Sequence, residues 1–318
     1  MRLLHGRLVG AIAVLALTGL GGCAPMPEPP PPPPQKVAAP VAPPPAAAKP
    51  STASAEARTR YARVQSDLLA RGLLRTDGGA ADAPFTDRML ADNFIRIALY
   101  DEYAPSGGTL VQQTTVSRLR KWEQPVRVGL TFGASVPEDR RATDTARIAS
   151  YLARLSRITG HPIRLADGNP NFLLFIVSED ERRALGPVIQ TALPSLSPGE
   201  VAGITRMDPN TYCLVYALSG SDGATYTRAL AVIRSEHPDL MRLSCLHEEL
   251  AQGLGLANDS PQARPSIFND DEEFALLTPM DEYLLRMLYD PSLRPGMTEA
   301  EVRPIVYPLA ARLLDGTS

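Results

Sequence analysis

The spacing of apolar positions changes period several times along the chain, and each change marks an element. Residues 126–132, Val-Arg-Val-Gly-Leu-Thr-Phe, alternate with the period of a half-buried strand. Residues 140–158 then put Ala146, Ile148, Leu152, Leu155 and Ile158 on one side of a helix, with Gly160 in C-cap position. Residues 172–177 are continuously apolar, as in a strand covered on both faces. A helix is predicted over 179–193, and strands over 211–218 and 226–233 form a hairpin around Ser219-Gly220-Ser221-Asp222-Gly223. Ahead of these, helices are predicted over 54–74, through Tyr61, Val64, Leu68 and Leu69, and over 87–103, through Leu90, Phe94, Ile97 and Ala98. This order predicts an α/β or α+β fold with a mixed sheet.

The first residues follow different rules. A short basic region (Arg2, His5, Arg7) precedes the apolar run from Leu8 to Leu17, which has the parts of a secretory signal and is short for a spanning helix. The junction Leu20-Gly21-Gly22-Cys23 resembles a bacterial lipobox, so residues 1–22 are expected as a lipoprotein signal peptide and Cys23 as the lipidated first residue. A plain signal peptide with a chance cysteine is the competing reading. Residues 23–51 are a Pro-rich linker: thirteen prolines fall between 24 and 50, including the run from Pro29 to Pro34. Such a stretch cannot build a core and favours polyproline II, a semi-rigid stalk of up to roughly 80 Å. Proline runs also serve as ligands of aromatic grooves. Residues 52–318 remain for a folded domain with an N-terminal helical extension.

Charge narrows the partners. The chain of 318 residues carries a net charge of −3, and loss of Arg2 and Arg7 with the signal leaves it more acidic, so no nucleic acid is expected to be held through phosphate contacts. Export to an oxidising compartment makes a Cys213–Cys245 disulfide the expected state of the two remaining cysteines. Asn269-Asp270-Asp271-Glu272-Glu273 lacks the alternating ligands and turn glycine of a calcium loop and reads as a solvated acidic turn. Trp122, the single tryptophan, is expected as a core anchor ahead of the first strand rather than a stacking platform.

The helix opening at Pro238-Asp239 places Leu243, Leu246, Leu250 and Leu254 on one face and Glu248 with Gln252 on another. Read from His247, a His-Glu-x-x-His zinc motif fails at Ala251. One residue later, the metzincin pattern His-Glu-x-x-His-x-x-Gly-x-x-His/Asp becomes Glu248, Glu249, Gln252, Gly255 and Asn258. The general-base glutamate and the glycine are kept while all three ligand positions are changed. The resemblance continues through Ser266-Ile267-Phe268-Asn269, Leu277-Thr278-Pro279-Met280-Asp281 and Leu288-Tyr289-Asp290-Pro291, covering about residues 239–292. With Cys245 and the Glu-Glu-Leu-x-Gln helix, these features resemble a bacterial lipoprotein family known as domain of unknown function 2927. The combined resemblance implies a zincin-like mixed sheet with a motif-bearing helix and a C-terminal helical part.

Zinc sites are built from imidazole, thiolate and carboxylate, so Glu248, Gln252 and Asn258 are expected to be degenerate ligand positions with no tight zinc, and no cofactor is predicted. His161 and His237 each lie beside a proline and do not complete a ligand set with His247. Glu248 and Glu249 do not face each other on a helix, so one is expected as a solvated charge and the other as a buried structural carboxylate. The expectation is a lipid-anchored envelope protein whose domain is a non-catalytic binding or scaffolding module, facing an envelope protein or peptidoglycan. Ala24 after Cys23 leans toward the periplasmic side of the outer membrane. The alternatives are a peptidase or peptidoglycan hydrolase using Glu249 as general base, and a purely structural envelope protein with an accidental motif.

Overall fold

The computed structural model describes residues 50–79, 81–106, 109–166 and 168–316. The signal peptide, Cys23 and nearly all of the Pro-rich linker lie outside the described residues. Nine helices and eight strands are described, and no described helix is long and apolar enough to cross a membrane.

The apolar run Phe172–Val177 (β6) lies inside a six-stranded sheet, as its lack of alternation requires. It pairs in parallel with Val126–Phe132 (β4) on one side and Thr225–Arg234 (β8) on the other, and Ile163–Leu165 (β5) continues the sheet beyond β4. Tyr226 of β8 pairs with Trp122 in the short parallel strand Lys121–Trp122 (β3) and with Ser219 in Cys213–Ser219 (β7). These two strands therefore flank β8 on opposite sides, and β7, antiparallel, forms an edge.

Alternate side chains separate two layers. Leu174, Ile176, Ala229, Ala231 and Ile233 face the main core with Glu138–Thr159 (α3), Asp239–Gln252 (α7), Pro279–Leu288 (α8), Glu299–Asp315 (α9) and Asp87–Ala98 (α2). Phe175, Val177, Leu230 and Val232 face a smaller core closed by Ile189, Leu196 and Ile204. The fold is thus a mixed α/β sheet with the motif helix on one face and helices at the C-terminal end, as the sequence implies.

Two predicted helices differ. The helix expected over 87–103 ends at Ala98, and Tyr100–Ser106 (β1) instead pairs antiparallel with Thr109–Val116 (β2). Pro105 disfavours helical backbone before it, and the apolar helical spacing has run out by Ala98. The helix expected over 179–193 is split into Glu179–Arg183 (α4) and Gly186–Ala192 (α5), because Pro187 opens a new helix and strains a continuous one. A further short helix, Pro198–Thr205 (α6), follows.

The N-terminal helix Thr52–Ala70 (α1) is tied to this body by polar contacts. The Ser54 hydroxyl donates to Glu236 Oε1 at 2.6 Å, and the buried Tyr61 donates its hydroxyl to the Pro209 carbonyl at 3.0 Å. The Cys213–Cys245 disulfide is present, joining β7 to α7.

Candidate functional site

Helix α7 is held on several sides before its polar face is considered. Arg242 forms a buried ion pair with Asp144 of α3 at 2.8 Å, and Cys245 holds the helix to β7. At its C-terminal end, Trp122 Nε1 donates to the Gly253 carbonyl at 2.8 Å and the Tyr289 hydroxyl to the Leu254 carbonyl at 3.1 Å, satisfying carbonyls that the helix leaves free. Trp122 is the core anchor that the sequence suggests, stacked near Phe172 and buried against Tyr226.

The motif glycine then turns the chain. Gly255 has φ +129°, and a Cβ there would lie 2.2 Å from the Arg120 carbonyl oxygen, so only glycine fits this close passage. The chain returns beside α2, where Asn258 N–H donates to the Ile97 carbonyl and Asn258 Nδ2 to the Arg96 carbonyl. Gln252 Nε2 donates to Asp259 Oδ1 at 2.8 Å. The two later motif positions are thereby separated: Gln252 meets Asp259, whereas the Asn258 amide is spent on the α2 backbone.

Downstream motif segments meet at one carboxylate. Asp281 caps α8, taking hydrogen bonds from Thr278 N–H and Oγ1, and it also takes the Ser266 hydroxyl and Ile267 N–H. One side chain thus locks the Ser-Ile-Phe-Asn turn to the Leu-Thr-Pro-x-Asp helix start. Burial outweighs these four donors and pushes Asp281 up to about 6.

His247 is committed to structure. Its Nδ1 accepts from Leu277 N–H at 3.1 Å, its ring stacks on Tyr151 with centroids 4.0 Å apart, and Tyr151 donates to its carbonyl. Burial, with a smaller push from Arg154, lowers it to about 3, so it is neutral at ordinary pH.

Carboxylates dominate the rest. Glu249 is 4% exposed and its Oε2 has no hydrogen-bond partner; Asn258, 3% exposed, likewise keeps an unpartnered Oδ1. Glu248 is half-buried rather than a freely solvated charge, which corrects the expectation that one of the two adjacent glutamates faces water. Burial comes first in raising the proton affinity of Glu248, followed by repulsion from Asp259, Glu249, Glu272 and Glu102. Glu249 is raised by burial and then by Glu102 and Asp259. Asp259 is raised by burial, Glu102 and Asp270, against the bond from Gln252. Glu272 is pushed up to about 7 by burial and by Asp271 and Asp270.

The acidic turn is therefore not uniformly solvated. Glu273 pairs with Arg75 and Arg264, and Asn269 Nδ2 donates to the Ala263 carbonyl, while Glu272, at φ +59°, belongs to the carboxylate cluster of α7. Among the described residues, no three or more His, Cys, Asp or Glu side chains converge in a way that holds a metal ion. The donor set at Glu248, Gln252 and Asn258 has one carboxylate, two amides and no imidazole, which does not fit zinc.

Residues 87–307 match the family described as "Protein of unknown function (DUF2927)". The chain belongs to that family. The match spans α2 to most of α9 and leaves α1 ahead of it. No curated protein and no solved structure matches. Within this DUF2927 domain, the sequence pattern located Glu248, Glu249 and Gln252 but missed Asp259, Glu272 and Glu102. Asp259 lies one place beyond the motif's last position, and Glu272 sits in an acidic run whose local signal points to solvent. Glu102 lies on a strand that the sequence reads as helix.

Proposed function

We propose that this protein is a lipid-anchored envelope protein whose zincin-like domain binds a partner, a protein or peptidoglycan, without cleaving it. The observation that carries this reading is the chemistry of the retained frame. The turn glycine, the Ser266 turn and the Asp281-capped helix are all built, while the ligand positions hold Glu248, Gln252 and Asn258, and the one nearby imidazole is spent on Leu277 and Tyr151. The frame supports a polar recognition surface and supplies no Lewis acid. Cys23 provides the lipid attachment and residues 24–50 a stalk that holds the domain off the membrane.

A second reading, hydrolysis with Glu249 as general base, has one observation in its favour. A buried carboxyl with raised proton affinity and an unpartnered oxygen is the state in which such groups work. The two readings separate by incubating the full chain and its Glu249→Gln variant with peptide and peptidoglycan libraries and reading products by mass spectrometry. Retention without products supports the binding module. Products formed by the parent and absent with Glu249→Gln establish the hydrolase.

A further inference from the structure

We propose that the cavity between α3 and α8 is a binding site for a phosphate group. The inference goes beyond the partner-binding reading and stands without it. The cavity measures about 280 Å³ and is lined by Arg154, Arg157 and Ile158 of α3 and by Glu282 and Arg286 of α8. That volume lies at the lower end of small-ligand pockets, ~300–1,000 Å³, and suits an anion the size of a headgroup. None of these residues comes from α7.

Three guanidinium groups meet one carboxylate in this cavity, which leaves it a surplus of positive charge. Arg154 and Arg157, three residues apart, share a face of α3, and Arg286 arrives from the other helix. Two of the three are held in place by their own surroundings. Arg154 donates from Nε to Glu282 Oε1 at 2.9 Å and from Nη2 to the Leu277 carbonyl at 3.2 Å, and the Arg286 guanidinium lies over the Tyr283 ring, 5.0 Å from its centroid. Groups fixed in this way lose little freedom on taking a ligand. Glu282 does not use them up, since Arg286 Nη2 comes no closer to its Oε2 than 3.5 Å. Arg157 is exposed and has no acid or carbonyl partner among the described residues.

The cluster at Glu179 shows the contrast. Arg182, Arg183 and Arg234 share that one acid, yet their surplus donors end on the Ile204, Thr211, Met207 and Asp208 carbonyls. At the α3–α8 cavity the Leu277 carbonyl alone takes a surplus donor of the lining arginines, so N–H groups remain for a guest. Arg157 and Arg286 sit in the last turns of their helices, where the dipole favours a cation and lets them stand without acids of their own. A phosphate ester presents three strong acceptor oxygens in different directions and takes forks from several sides, whereas a carboxylate presents two in one plane. Ile158 adds an apolar wall for the group that the phosphate carries.

The test is calorimetric titration of the full chain at low ionic strength with glycerol phosphate, acetate and, below its micelle concentration, dihexanoyl phosphatidylglycerol as separate titrants. One-to-one binding of glycerol phosphate is expected, at least about tenfold tighter than acetate, with at least about a tenfold loss of affinity in Arg157→Gln. Arg286→Gln gives the same readout from the other helix should Arg157→Gln misfold. Arg63→Gln, an exposed arginine of α1, should leave the affinity unchanged. Phosphatidylglycerol bound at least as tightly as glycerol phosphate, and lost in the same variants, supports the site with a lipid headgroup as the source. Glycerol phosphate bound without the lipid supports it with a soluble ester. No saturable binding of either phosphate, acetate bound equally well, affinity unchanged in both variants, or the same loss in Arg63→Gln overturns the proposal.

Discussion

Gln252 Nε2 donates to Asp259 Oδ1 at 2.8 Å, so the polar face of α7 closes on Asp259 and not on its neighbour Asn258. The contact moves the third position of the motif by one residue and draws a carboxylate toward Glu248 and Glu249. A site that would hold neutral amides beside a single acid becomes one rich in carboxyl groups whose proton affinity is raised by burial.

Those carboxyl groups fix how stability depends on pH. An acid whose folded pKa exceeds its unfolded value binds more protons when folded, so its favourable contribution is full below about pH 4.3 and is lost as pH rises through the folded value. For Glu272 that value is about 7 and for Asp281 about 6, with Glu248, Glu249 and Asp259 shifted in the same direction. His237 and His247, both lowered to about 3 by burial, act oppositely, losing stability as pH falls from about 6.5 toward 3. Urea midpoints are therefore expected to decline between pH 6.5 and 8. In Glu249→Gln the decline should be shallower, with a gain of about 1 kcal/mol or more at pH 8. An identical slope in the variant contradicts this.

His247 is expected to serve packing alone. His247→Phe keeps a ring against Tyr151 but leaves the Leu277 N–H without its acceptor, at a cost of about 1–3 kcal/mol. Chemical denaturation measures that loss, and a midpoint equal to the parent's would contradict it.

Gly255→Ala is expected to destabilise the domain by about 2 kcal/mol or more, since the new Cβ meets the Arg120 carbonyl and the backbone lies at positive φ. Gly160→Ala is the control, having positive φ but open space around the position. A smaller loss there separates the close passage from the dihedral cost.

The disulfide closes a separation of 32 residues and contributes about 3–4 kcal/mol in the chain-entropy description. Reduction, or paired Cys213→Ala and Cys245→Ala replacement, should lower the urea midpoint accordingly. An unchanged midpoint would mean that α7 is held to β7 by packing alone.

Much of the frame was legible because its signals are local. The continuous run of β6, the alternation of β4, the Gly160 stop and the turn at 219–223 each specify an element within a few residues. The hairpin β1–β2 was not, because its pairing links residues 100–106 to 109–116 while the preceding apolar helix pattern dominates the reading. Pro304 and Pro308 blur the helical signature of α9. At the site, the motif places Glu248, Glu249 and Gln252 through helical spacing alone. Asp259, Glu272 and Glu102 come from a turn, an acidic loop and a strand far from one another in sequence, and their bearing on α7 depends on tertiary packing that no local pattern records.

The central claim, that this frame recognises a partner without a metal-activated reaction, is tested most directly by elemental analysis of the full chain purified in oxidised form, alongside Glu248→Ala and Gln252→Ala. The account predicts a folded parent with metal far below one ion per chain and no difference between it and the variants. Near-stoichiometric metal in the parent, lost in both variants, would contradict it.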